Sequence, residues 1–232
     1  MPNKLIPRIT NQVANLIVKL PFSAPQSFFK IYELGQYRKF LQQSGIKKYP
    51  QLEHRNALYE SVHKSHLAGA PVDYLEFGVF EGESIKKWSG LNAHPDSRFF
   101  GFDSFEGLPT DWEGLPKGHF ETKGEPPKIN DPRVKFIKGW FNDTLPAFLQ
   151  TFSLKNRLII HYDADLYSST LYVMATLHNM VQPGTIIIFD EFDSVLHEFR
   201  AFKDYNMSFN RSWTPCGWSR CCERHQMAFI AK

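Results

Sequence analysis

The chain has 232 residues, with 27 Lys and Arg against 24 Asp and Glu and a formal charge of +3. That length suits one α/β domain with a few added elements, and 42% hydrophobic with 22% charged residues is the balance of an ordinary soluble fold. No apolar run approaches the roughly 18–20 residues of a bilayer span, and three cysteines make a poor disulfide framework, so a cytoplasmic setting is expected.

The N-terminal stretch "MPNKLIPRITNQVANLIVKLPF" lacks the apolar block and cleavage site of a signal peptide. Its apolar residues Leu5, Ile9, Val13, Leu16 and Leu20 recur at the spacing of an amphipathic helix. Residues 1–50 hold eight Lys or Arg and a single acid, Glu33, which leaves this segment at +7 and the rest at −4. Such a segment fits an anionic membrane surface or partner, or a pair of helices covering a cleft. The second reading is preferred, because Phe28, Phe29, Tyr32, Tyr37 and Phe40 call for a core. Residues 1–55 are therefore expected to form a helical lid or a homodimer contact, and residues 56–232 the main domain.

From residue 56 onward helix and strand patterns alternate. "NALYESVHKSHLAG" reads as a helix stopped at Gly69, "VDYLEFGV" as a strand, and "EGESIKKWSGLN" as the start of a helix. "SRFFGFDSF" and "RVKFIKGWF" read as strands, "TLPAFLQTF" as a helix, and "RLIIHYDADLY" as a further strand. The helix "SSTLYVMATLHNMV", the turn and strand "QPGTIIIFDEFD", the helical "SVLHEFRAFKDYN" and the final strand "RHQMAFIAK" complete the series. The fold expected is a doubly wound, Rossmann-like α/β sheet of seven mostly parallel strands with helices on both faces. Residues 106–132, rich in Gly and Pro, interrupt the alternation as a long functional loop.

In such a sheet ligands bind beyond the carboxyl ends of the strands. Three of those ends carry chemistry here. "YLEFGVFEGES" sets Gly78 and Gly82 around a strand-to-helix turn, where backbone can approach a ligand and helix amides are free. Its spacing is not the G-x-G-x-x-G of a dinucleotide site. Asp103, about twenty residues later at the end of "FFGFD", stands where an acid can hold ribose hydroxyls, or where a turn needs a cap. Asp163 follows the strand "RLIIHY", and Asp190 and Glu191 follow "IIIF". Carboxylates converging there would repel and raise one another's pKa, and an all-oxygen set suits Mg²⁺ or another divalent cation. Asp165 and Asp193 read as helix caps, and His161, by period two, as a core residue.

The motifs "EFGVFEGES", "GFDSFEGLP", "KGWFNDTLP", "DADLYSST" and "IIIFDEFD" together resemble the macrocin O-methyltransferase (TylF-type) family over about residues 55–205. That family comprises class I S-adenosylmethionine-dependent enzymes that methylate sugar hydroxyls of natural products with a divalent metal. The resemblance implies S-adenosyl-L-methionine and Mg²⁺ as cofactors and a small hydroxylated molecule, a sugar or glycosylated natural product, as acceptor. It places Glu76, Gly78 and Gly82 in the methionine-side loop, with Ser84 beside them. It puts Asp103 on the ribose, Ser104 and Phe105 near the adenosine, and Gly139 and Trp140 near the adenine. Trp140 could stack on the base or be core. Asp163, Asp190 and Glu191 become the metal ligands, and Glu191 departs from the shorter Asp or Asn usual at its position. Asp163 would also face the cofactor and act as general base.

Two rival functions use the same residues: a nucleotide-dependent oxidoreductase, and a silent cofactor-binding or scaffolding protein. Cys216, Cys221, Cys222 and His225 match no common zinc spacing. No aromatic–basic module for nucleic acid is present either.

Overall fold

The computed structural model describes residues 23–221 and 224–232. The stripe Leu5–Leu20 and Cys222 lie outside them. Along the chain the elements are α1 (Ser23–Gln43), β1 (Gln51–Leu52), α2 (Arg55–Val62), β2 (Val72–Phe77), α3 (Glu83–Leu91), β3 (Arg98–Asp103) and β4 (Val134–Lys138). They continue as α4 (Phe141–Thr151), β5 (Arg157–Tyr162), α5 (Tyr167–Thr176), β6 (Ile186–Phe189), α6 (Glu198–Phe209), β7 (Trp213–Cys221) and β8 (Arg224–Ala231). A single sheet runs in the order β1-β7-β8-β6-β5-β2-β3-β4. Its strands are parallel except that β8 runs antiparallel to both β6 and β7.

The doubly wound fold expected from the sequence is the one observed, with eight strands instead of seven. The two-residue β1 pairs parallel with β7, a strand too short to leave a sequence pattern. β7 itself contains Pro215 and Gly217, both poor strand residues, and the ladder tolerates them at a bulge between the two.

β2 and β5 lie side by side at the centre, and the chain winds outward from them in opposite directions. Every residue of β2 is buried, as a parallel strand covered on both faces should be. One face packs Phe77, Phe102, Tyr162 and Phe189 against α4, α5 and α6. The other packs Tyr59, Tyr74, Trp88 and Ile188 beneath α2 and α3. After α2 the helix widens into a π-helical turn, His63–Leu67, and Ala68 (φ 49°) and Gly69 (φ 80°) stop it in the left-handed region.

α1 lies on α6 and on β8 of the sheet. Tyr37 is buried against Phe199 and donates its hydroxyl to His225 Nδ1 or accepts from it at 2.7 Å; Phe40 contacts Phe192, Phe202 and Phe229. Buried Glu33 accepts from Lys203 Nζ at 2.6 Å. Cys216 packs into the core beside α2, its thiol pushed up to about 12 by burial, while His225 is engaged by Tyr37. Among the described residues no helix is long and apolar enough to cross a membrane.

Candidate active site

The switch point between β2 and β5 opens into one cavity, reached by the ends of β2, β3, β5 and β6. Gly78, Asp103, Ser104, Trp140, Asp163, Asp190 and Glu191 line it, as the sequence reading expected of cofactor or metal contacts.

Gly78 is where the chain requires glycine. Its φ is +93°, and a Cβ there would sit 1.8 Å from the carbonyl oxygen of Asp163. The turn after β2 therefore presses directly on the turn after β5, and the Asp163 amide donates to the Phe77 carbonyl at 2.9 Å. Gly82 (φ +76°) begins α3 and leaves room for Pro127 of the long loop. Asp103 organises the floor of the site. Its Oδ2 accepts the amides of Val79 (2.8 Å) and Phe80 (3.0 Å), and its Oδ1 accepts that of Phe105 (2.7 Å).

Besides Gly82, four further candidates do not line the cavity. Phe105 is wholly buried against Phe136, so only its backbone serves the site. Ser84 is buried and bonds the Tyr59 hydroxyl at 3.2 Å. Glu76 points into the layer beneath α2, accepts a hydrogen bond from the Tyr74 hydroxyl and faces His161 Nδ1 at 3.5 Å. Gly139 likewise serves the backbone: its amide donates to the Asp103 carbonyl at 2.9 Å.

At the other side of the cavity the acids gather. Ligand oxygens of Asp163, Asp165 and Glu191 come within 4.8 Å of one another, and so do those of Asp163 and Asp190 with a His161 nitrogen. The trio Asp163, Asp190 and Glu191 is thus divided between two overlapping groups that share Asp163. Asp165, read from the sequence as a cap, enters the first. It sits at φ +56°, with the Leu166 amide donating across it to the Ala164 carbonyl at 2.5 Å, so a tight γ-turn aims it inward. Phe80 (φ 49°) and Phe105 (φ 60°) are also left-handed, an accumulation of non-glycine strain typical of functional sites.

Burial, then repulsion from Asp190, holds Asp163 well above the usual carboxylate range, and the same causes push Asp165 up to about 7. Glu191 and its neighbour Glu198 are raised by burial and by Asp163. Each of the two glutamates keeps one buried oxygen without a hydrogen-bond partner. Asp190 is the exception. Burial opposes its charge, but His161, the Arg55 guanidinium at 3.6 Å and the Tyr59 hydroxyl outweigh it and hold the carboxyl low. His161 in turn is raised to about 10: burial disfavours its charge, and Asp190 and Glu76 on either side more than compensate. A set of oxygen donors driven toward protonation by one another, with orphaned buried oxygens, fits a divalent cation, which would keep them ionised.

Comparison with known proteins finds a family match over part of the chain. Residues 125–211 match the macrocin-O-methyltransferase (TylF) family. The resemblance seen in the motifs is borne out over that segment, which runs from the end of the long loop through α6 and holds all four acids of the cluster. The 8-demethyl-8-(2,3-dimethoxy-alpha-L-rhamnosyl)-tetracenomycin-C 4'-O-methyltransferase of Streptomyces olivaceus is 31% identical over 159 residues, covering 57% of this chain and 59% of that protein. The mycinamicin III 3''-O-methyltransferase of Micromonospora griseorubida is 26% identical, covering 62% of this chain and 66% of that one. The chain thus spans roughly three fifths to two thirds of these relatives' length. Among solved structures, the O-methyltransferase NovP superposes with a TM-score of 0.59 at 20% identity over 76% of this chain and 78% of its own. A calicheamicin methyltransferase does so with a TM-score of 0.56 at 18% identity, over 99% and 94%.

Arg55, Asp165 and His161 were not singled out as site residues by sequence. Arg55 lies outside every motif, at the first turn of α2. The other two carried a signal, a position within "HYDAD", but strand alternation read His161 as core and the following helix made Asp165 a cap.

Proposed function

We propose that this chain is an S-adenosylmethionine-dependent O-methyltransferase acting on a hydroxyl of a sugar carried by a natural product. The observation that carries the reading is the convergence, on one cavity, of the Asp103-held loop and the acids Asp163, Asp165, Asp190 and Glu191. The family match over the acidic segment supports it. So does the rhamnosyl acceptor named for the Streptomyces olivaceus relative.

The chain's own groups divide the work. Asp103 fixes the Val79–Phe80 backbone and has lone-pair capacity left for a ribose hydroxyl, while Gly78 lets the cofactor's amino-acid end approach the turn. Trp140 offers a flat wall for the base. Methyl transfer is an in-line displacement in which the acceptor oxygen forms the new C–O bond as the C–S bond breaks, leaving S-adenosylhomocysteine. Alignment of the two reactants is therefore most of the task. Asp163 takes the hydroxyl proton, its affinity for protons raised by its surroundings. Asp163, Asp165 and Glu191 would hold a divalent cation, with Asp190 beside them. Such an ion supplies Lewis-acid polarisation of the acceptor hydroxyl.

Calorimetric titration with S-adenosylhomocysteine, with and without Mg²⁺, followed by methyl transfer to a rhamnosylated aglycone, tests the proposal. Binding of NAD in its place would favour the oxidoreductase. Failure to bind either would favour the silent scaffold.

A further inference from the structure

The outer face of α1 has no role in the site. On it Phe28 is 59% exposed, Ile31 66% and Tyr32 57%, residues that share one side of the helix by their spacing. Phe29 and Leu34 are exposed beside them. The exposed charges of this stretch of chain are basic. Lys30, Arg38, Lys39, Lys47 and Lys48 are exposed, and Glu33, the single acid of residues 27–50, is buried and paired with Lys203. From α6, Arg200 stacks over Phe29 at 4.8 Å and Lys203 over Tyr32 at 5.7 Å, two cations at the edge of the same face with one acid, Asp204, between them at 3.5 and 3.8 Å. The sequence preceding α1 repeats the chemistry: Lys4, Arg8 and Lys19, no acid, and the Leu5–Leu20 stripe.

We propose that this face is a docking surface for an anionic lipid membrane. Aromatic side chains flanked by Lys and Arg are what the interfacial zone of a bilayer accepts: rings lodge at headgroup depth while cations meet lipid phosphates. A second copy of the chain is the competing occupant, and charge decides against it. A two-fold contact sets a face against itself, so Arg38 and Lys39, which follow the strip by helical spacing, would meet the same cations on the copy with no exposed acid in residues 27–50 to separate them. An anionic surface removes that repulsion and turns each cation into an attraction that falls off within a Debye length.

The test is sedimentation of the full chain with phosphatidylcholine vesicles and with vesicles of mixed phosphatidylcholine and phosphatidylglycerol, at low and high salt. Binding is expected to the mixed vesicles, not the neutral ones, and to fall with salt. The triple variant Lys30→Glu/Arg38→Glu/Lys39→Glu should lower partitioning at least about 100-fold. Phe28→Ser/Ile31→Ser should weaken binding at every salt concentration, because it removes the apolar component. Circular dichroism and S-adenosylhomocysteine binding serve as folding controls, since neither variant touches the cavity. Absence of binding to mixed vesicles overturns the proposal, as does binding that both variants leave intact. A protein that ignores vesicles but forms a dimer, broken by Phe28→Ser/Ile31→Ser in analytical ultracentrifugation, assigns the face to a second copy instead.

Discussion

Asp103 Oδ2 accepts the Val79 amide at 2.8 Å, so the acid closing β3 and the glycine turn following β2 form one unit. With the Phe80 and Phe105 amides also on this carboxylate, its charge is shared among three backbone donors. Asp103→Ala should therefore fail twice. Losing these charge-assisted bonds is expected to destabilise the fold by about 2–3 kcal/mol, and to weaken S-adenosylhomocysteine binding beyond the loss of a single ribose contact. Chemical denaturation and calorimetry measure the two effects. Loss of affinity at unchanged stability would confine Asp103 to the ligand.

Gly78→Ala should be among the most damaging single substitutions. A methyl group cannot share space with the Asp163 carbonyl 1.8 Å away, and φ +93° is unfavourable for any L side chain. Separating the turns of β2 and β5 is expected to cost on the order of 3–5 kcal/mol and to abolish methyl transfer. Gly114→Ala is the control for positive φ without crowding: its φ is +92° and nothing approaches within 4 Å of the added atom. A Gly78→Ala protein no less stable than Gly114→Ala would remove the close approach from the account.

The parts of this molecule readable from sequence are those that local chemistry determines. Continuous apolar runs such as Ile186–Phe189 announce buried parallel strands, and carboxylates placed just past them announce the site. What could not be read depends on register between strands. Alternation along β5 correctly removes His161 from the cavity face, but only the pairing of His161 with Glu76 across β2 and β5 turns it from a filler into a charged bridge toward Asp190. The same limit applies to Asp165, whose left-handed γ-turn no pattern of hydrophobicity records, and to Arg55, brought to Asp190 by the packing of α2. β7 stayed hidden because Pro215 and Gly217 argue against a strand that only its partners make possible.

Asp73 should set part of the acid limit of stability. It is fully buried at the start of β2; burial alone would raise its carboxyl, but the two-pronged Arg98 contact (2.8 and 2.6 Å) and the Lys155 and Asn156 amides hold it below the ordinary range. A depressed folded-state pKa contributes stability above the unfolded value, roughly 3.9, and loses it as pH falls through the folded value. Asp73→Asn should cost about 3 kcal/mol at neutral pH, because it leaves Arg98 without its charge partner. The gap between variant and wild type should close below about pH 4. Denaturant melts across this range measure it, and a gap that stays constant with pH would mean that Asp73 acts by shape alone.

The acidic cluster yields the sharpest contrast. If Asp163, Asp165 and Glu191 are the cation's donors, as their 4.8 Å grouping suggests, then Asp163→Asn and Asp165→Asn should each weaken Mg²⁺ binding by at least tenfold, about 1.4 kcal/mol. Asp163→Asn should also lose methyl transfer at saturating Mg²⁺, since it removes the proton acceptor, while Asp165→Asn should regain much of it. Asp190 already has Arg55 and His161 to offset its charge, so Asp190→Asn should disturb that buried network more than the metal. Stability melts and Mg²⁺ titrations, run in parallel on the three variants, separate these effects. Should Asp190→Asn abolish Mg²⁺ dependence while Asp165→Asn leaves it unchanged, the donors are Asp163, Asp190 and Glu191, and the side chains must rearrange when the ion binds. If chelation leaves wild-type transfer intact, the acids serve without a metal, and their raised proton affinities become the whole of the chemistry.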